Sequence, residues 1–162
     1  MTIGLVLGGG GARAAYQIGV LKAIVQFYPR NHHIPFDILS GTSAGAINAT
    51  SLATHASCFH LGVKKLDWVW RNFETGKVYE ASIMGVLKHL SKMALMGLQN
   101  DLANNDAGSL FNNQPLRDLL NNLIDFNRID RNIHLGALTA LSVDASCYNN
   151  SMSYSFFQGH TS

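Results

Sequence analysis

Ser43 lies in Gly41-Thr42-Ser43-Ala44-Gly45, a G-x-S-x-G pattern. Flanking glycines of this kind permit a strained strand-to-helix turn that lifts a serine hydroxyl clear of the backbone, where it can attack a carbonyl carbon. Five residues with three fixed positions recur by chance, so the pentapeptide alone is weak evidence. Its surroundings strengthen it: an apolar segment, Phe36 to Leu39, precedes the motif and an alanine-rich stretch, Ala44 to Ala53, follows. That is the strand-turn-helix context a nucleophile elbow needs. Upstream, Gly8-Gly9-Gly10-Gly11 follows another short apolar run. Successive glycines after a strand can turn their N–H groups toward an anion, and a helix beginning near Ala12 adds the positive end of its dipole. Arg13 is placed to hold that loop or to meet a phosphate.

Two rival chemistries use the same residues. Gly9-x-Gly11-x-x-Ala14 satisfies the dinucleotide fingerprint, and Asp37 lies at a plausible distance beyond it. The ribose-binding acid belongs at the end of the second strand, however, whereas Asp37 precedes most of the run Ile38-Leu39 and is expected to fix the elbow loop or to stay solvated. A Ser-His-Asp hydrolase would draw on His89, His134 or His160 downstream of Ser43, none of which carries a supporting motif. His32, His33, His55 and His60 lack the spacing of metal ligands, so no metal is expected.

The elements that must position these turns follow from the apolar pattern. Ile3 to Leu7 reads as a buried strand of a parallel sheet, and Ala14 onward shows helical spacing through Ala15, Ile18, Leu21 and Val25 until Pro29. Pro35 to Leu39 reads as a second strand, with a turn at Ser40 to Ser43 and a helix from Ala44 to Ala53. Small residues at Ala44, Gly45, Ala46 and Ala49 would let that helix approach the sheet closely. Alternation of strand and helix implies an α/β fold. Val63, Leu66 and Trp70 mark a further helix, as do Ile83 to Ala94, and Asn113-Gln114-Pro115 reads as a helix start ahead of Leu116, Leu119, Leu120 and Leu123. The stripe Met84, Met93 and Met96 is expected to pack in a core rather than to form a lipid-facing lid. Leu135 to Val143 and Met152 to Phe157 read as a hairpin about Asn149-Asn150.

Composition bounds the rest. At 162 residues and 47% hydrophobic content the chain can bury one substantial core, which argues for one domain and against disorder. A net charge of +2, scattered without a basic cluster, gives no reason to expect nucleic acid as a partner. Cys58 and Cys147 point to free thiols in a reducing, cytoplasmic compartment. The N-terminus does not suit a signal peptide, and no uncharged apolar run reaches roughly 18 residues, so membrane contact is expected to be peripheral.

Together the two glycine turns resemble the patatin-like phospholipase family, in which G-G-G-x-R-G precedes G-x-S-x-G by some thirty residues. Here the motifs stand as Gly9-Gly10-Gly11-Ala12-Arg13-Ala14 and Gly41-Thr42-Ser43-Ala44-Gly45, and the likeness continues through LVLGGGGARAAYQIGVLK and FDILSGTSAGAINA, which look like bacterial members. Ala14 replaces the usual glycine without removing an N–H donor. The resemblance implies a three-layer α/β/α fold with a mostly parallel central sheet. It also implies Ser43 as nucleophile, Gly9, Gly10 and Gly11 as oxyanion hole, Gly41 and Gly45 as elbow, Arg13 as loop or phosphate support, and no cofactor. The implied reaction is cleavage of fatty acyl esters of phospholipids or related lipids through an acyl-enzyme. The family uses a Ser-Asp dyad whose Asp sits in a later D-G-G or D-G-A motif, and this sequence has no D-G dipeptide. Asp144 lies in a stretch that precedes that loop in the family pattern, so it is not assigned as the base. Residues 1–162 are therefore expected to be the N-terminal portion of the domain, truncated after a strand and lacking the dyad segment. Three readings stay open: an acyl hydrolase, a catalytically incomplete lipid-binding fragment or pseudoenzyme, and an acyltransferase of similar elbow geometry.

Overall fold

The computed structural model describes residues 2–74, 120–147 and 150–159. Strand β1 (Gly4–Leu7) leads through a 3-10 turn (Gly11–Arg13) into α1 (Ala14–Ile24), which tightens into a second 3-10 turn at Val25–Phe27 ahead of Pro29. Strand β2 (Ile38–Thr42) feeds α2 (Ala44–Thr54), and α3 (Phe59–Glu74) follows. Residues 120–123 are helical, as expected for the stretch carrying Leu120 and Leu123, and helix α4 (Phe126–His134) and the hairpin β3 (Ala140–Cys147) and β4 (Met152–Gly159) follow. The sheet order is β1-β2-β3-β4, with β1, β2 and β3 parallel and β4 antiparallel to β3. This is the mixed α/β, mostly parallel architecture expected. Among the described residues no helix is long and apolar enough to cross a membrane.

The register aligns Leu5, Leu39 and Leu141 in one row across three strands. Leu39 and Leu141 join Leu7 in the core, with Ile18 and Leu21 of α1, Leu52 and Ala53 of α2, Leu66 of α3 and Ile129 and Ile133 of α4. Helix α2 is the central element: from Asn48 to Thr54 every residue is buried. Its small side chains bring backbone against backbone, so that a Cβ on Gly45 would lie 2.0 Å from the Leu7 carbonyl oxygen. The far end of α2 is closed by Asn132 of α4, whose buried amide donates to the carbonyls of Ala53 at 2.8 Å and Thr54 at 3.2 Å.

Four details depart from the sequence reading. Strand β1 is half-exposed rather than buried, with Val6 77% exposed and only Leu7 in the core. Strand β2 begins later than Pro35 and runs on through Gly41 and Thr42, so the elbow is narrowed to Ser43 itself. The stretch 126–134 is helical, with Asp125 capping it through a bond from the Arg128 amide; Gly136 at φ 72° turns the chain out of the helix, and β3 starts only at Ala140 instead of Leu135. Asp37 serves neither the elbow nor solvent alone: its carboxylate accepts from the Ile3 amide at 2.7 Å, at the opposite end of the strands from Ser43. The readings at Ile83 to Ala94, Met84, Met93, Met96, Asn113 to Leu119 and Asn149 lie outside the described residues. Cys58 and Cys147 are both free.

Candidate active site

Parallel pairing sets the site. Leu7 is in register with Gly41, so the two chains leave the sheet side by side and bring Gly9 level with Ser43. A Cβ placed on Gly9 would stand 3.1 Å from Ser43 Cβ, 3.3 Å from the Thr42 carbonyl oxygen and 3.8 Å from Ser43 Oγ. The structure thus brings together the two glycine motifs that are 32 residues apart from Gly9 to Gly41 (41 − 9).

Ser43 adopts φ 56°, ψ −126°, a conformation L side chains rarely take and one that glycine occupies in the first central position of a type II′ turn. It occupies the N-cap of α2 yet makes no side-chain capping bond, and the Ala46 amide bonds to its carbonyl at 2.9 Å instead. The hydroxyl is left exposed and uncommitted to the helix. Gly41 and Gly45 make this turn sterically admissible. A Cβ on Gly41 would fall 2.4 Å from the Gly45 carbonyl oxygen, and one on Gly45 would strike Leu7 and Gly8.

The glycine loop has its own unusual backbone, with Gly10 at φ 135° and Gly11 at φ 56°. The amides of Gly9 and Gly10 meet no acceptor among the described residues, while the Gly10 carbonyl accepts from the Arg13 amide at 3.1 Å. The aliphatic part of Arg13 lies over Gly10, where an added Cβ would meet Arg13 Cβ and Cδ at 3.4 Å. Gln17 Nε2 donates to the Gly8 carbonyl at 2.8 Å.

Asp144 stands in register with Thr42 on the neighbouring strand. Its two carboxylate oxygens accept from Thr42 Oγ1 at 3.1 Å and from Ser155 Oγ at 2.6 Å. Four histidines bond to backbone carbonyls: His32 to His33, His55 to Ser51, His60 to Tyr28 and His134 to Asp130. His55 is 2% exposed, and burial lowers its pKa from 6.5 against the opposing bond to the Ser51 carbonyl.

The matching family model, "Patatin-like phospholipase", aligns with residues 5–161. The chain belongs to the patatin-like phospholipase family. Relatives include the lysophospholipase nte1 of Aspergillus terreus, 49% identical over 55 residues, which are 34% of this chain and 3% of that protein. Patatin-like phospholipase domain-containing protein 7 of Rattus norvegicus is 39% identical over 67 residues, 41% of this chain and 5% of that protein. The neuropathy target esterase sws of Drosophila persimilis is 40% identical over 67 residues, 41% and 4% respectively. The chain thus spans only a few per cent of the length of these patatin-like relatives. All three are eukaryotic, and nothing in them supports the bacterial affinity that the motifs suggested. No solved structure matches the chain.

Sequence reasoning missed the polar residues behind the patatin-like loop. Asn48 is fully buried in the middle of α2, donates to Gln17 Oε1 at 2.9 Å and the Ala14 carbonyl at 3.3 Å, and accepts from Trp70 Nε1 at 2.8 Å. The available signal was a lone asparagine on a helix otherwise built of alanine, glycine, small hydroxyl residues and the aliphatic Ile47 and Leu52.

Proposed function

We propose that this protein is a serine acyl hydrolase that cleaves fatty acyl esters of phospholipids or related lipids, with Ser43 as the nucleophile. The observation that carries the reading is the strained, exposed Ser43 held against a glycine loop whose Gly9 and Gly10 amides have no acceptor among the described residues. In this reading Ser43 Oγ attacks the ester carbonyl and the amides of Gly9, Gly10 and Gly11 stabilise the resulting oxyanion. The alcohol leaves, and water then cleaves the acyl-enzyme to release the fatty acid. Arg13 holds the loop or meets a substrate phosphate, and Gly41 and Gly45 shape the elbow. Peripheral contact with a lipid surface is supported by Tyr16, Val20 and Phe27, which lie along one side of α1 and its 3-10 extension at 78%, 41% and 85% exposure.

A second reading has its own observation. Among the described residues Asp144 is in register with Thr42, the residue before Ser43, and both its oxygens are engaged by hydroxyls other than Ser43. These 162 residues contain no D-G motif, so the alternative is a catalytically incomplete lipid-binding fragment or pseudoenzyme of the same fold. Treating the chain and a Ser43→Ala control with a fluorophosphonate and measuring intact mass tests the primary reading. A Ser43-dependent adduct supports the hydrolase; a folded chain that forms none refutes an assembled active site and leaves the binding protein.

A further inference from the structure

The chain of side-chain amides behind the glycine loop has a fixed polarity. Trp70 Nε1 can only donate, so the Asn48 atom 2.8 Å from it must be the acceptor Oδ1. Asn48 therefore turns Nδ2 toward Gln17, 2.9 Å from Oε1. Gln17, its oxygen so occupied, presents Nε2 to the Gly8 carbonyl at 2.8 Å. One donor on α3 thus dictates, through a buried asparagine on α2 and a glutamine on α1, which way the Gly8 carbonyl points.

A trans peptide is planar, and its C=O and N–H point in opposite directions. Holding the Gly8 oxygen toward Gln17 turns the Gly9 N–H to the other edge of that peptide. Glycines flank this unit and offer little intrinsic resistance to a peptide flip. We propose that Gln17, Asn48 and Trp70 form a relay of positioning residues that locks the Gly8–Gly9 peptide so that the Gly9 amide faces the oxyanion formed at Ser43. The catalytic part of the proposal rests on the acyl hydrolase reading above; the geometric part does not.

Two measurements on the full chain separate these parts. The first is the fluorophosphonate labelling rate of Ser43 in Gln17→Met, Trp70→Phe and the double variant, each checked for an intact thermal transition. Removing an oxyanion donor costs on the order of 100-fold or more, and loosening one should cost about 10- to 100-fold. Gln17→Met is expected to fall in that range, Trp70→Phe to slow labelling by less, and the double variant to be no slower than Gln17→Met alone, because both act through one path. The second is the amide order parameter of Gly9 from nuclear magnetic relaxation. It should stand near the rigid value of about 0.85 in the parent and fall below about 0.6 in Gln17→Met. Labelling of Gln17→Met at the parental rate, additive losses in the double variant, or an unchanged Gly9 order parameter would each overturn the relay. If the parent chain itself fails to label, the hydrolase reading fails, and the order parameter still decides whether the peptide is locked.

Discussion

Replacing Ser43 by glycine should make the protein more stable while removing the proposed nucleophile. At φ 56°, ψ −126° the serine is held in a region that costs a non-glycine residue about 1–3 kcal/mol. Glycine escapes that cost but gains freedom in the unfolded chain, which offsets about 0.4–1 kcal/mol. Little else is lost, since the Ser43 side chain makes no capping bond. The net expectation is a gain of about 0.5–2 kcal/mol for Ser43→Gly. Ser43→Ala keeps the strained Cβ and loses only an exposed hydroxyl, so it should match the parent to within about 0.5 kcal/mol. The pair separates strain from chemistry, because both variants abolish labelling and only one relieves the backbone. Urea unfolding of the three proteins reads the difference directly. A chain of this size shifts its thermal midpoint by about 2–4 °C per kcal/mol, so Ser43→Gly should melt a few degrees higher. A Ser43→Gly protein no more stable than Ser43→Ala would refute the claim that strain is stored at the elbow.

Other substitutions probe the frame. Gly45→Ala would put Cβ 2.0 Å from the Leu7 carbonyl oxygen, a backbone atom that cannot rotate away, so denaturant unfolding should show a loss of about 3 kcal/mol or more. Gly8→Ala, with nothing within 4 Å of its Cβ, should change stability by less than about 1 kcal/mol. Asn132→Ala leaves the carbonyls of Ala53 and Thr54 without their buried donor and should cost about 2 kcal/mol by the same assay. His55 has a folded pKa below its unfolded value of 6.5, so between those two values the unfolded chain binds more protons. Its contribution is therefore intact above about pH 6.5 and is lost as the pH falls toward the folded pKa. Urea midpoints measured from pH 7.5 to 5 should show this slope, and His55→Asn, which retains a donor for the Ser51 carbonyl, should flatten it.

The elements around Ser43 were legible because each carries a local signal. Alternating apolar segments and glycine turns announce β1, α1, β2 and α2, and the alanine-rich run announces a helix buried against the sheet. Helix 126–134 was not legible, since its charged and polar residues outnumber Ile129 and Ile133 and its start depends on one capping carboxylate. The place of Asp37 was equally hidden: whether an acid before a strand meets the elbow or the far edge depends on the register of β1 against β2, which no local pattern reports. The Gln17, Asn48 and Trp70 contacts join three helices and depend on the packing of all of them.

That packing explains how a strained serine persists. Helix α2 is pinned at its start by Gly45 against Leu7 and Gly8, and at its end by Asn132. Ser43 is the last residue before this buried rod, so relaxing its φ would require the rod to tilt away from β1. Such a tilt would open the Gly45 contact and expose Ala49, Leu52 and Ala53, each wholly buried. At roughly 25 cal/mol per Å² of apolar surface, re-exposing even 100 Å² costs about 2.5 kcal/mol, which matches or exceeds most of the range expected for the strain. The same seat fixes the glycine loop, because Gly45 presses on Leu7 and Gly8, the residues that lead into it. Ser43 and the glycine-loop amides proposed as oxyanion donors are thereby parts of one packed unit. A substitution that lifts α2 should therefore weaken both together, and a labelling defect in Gly45→Ala that Ser43 geometry alone accounts for would contradict this coupling.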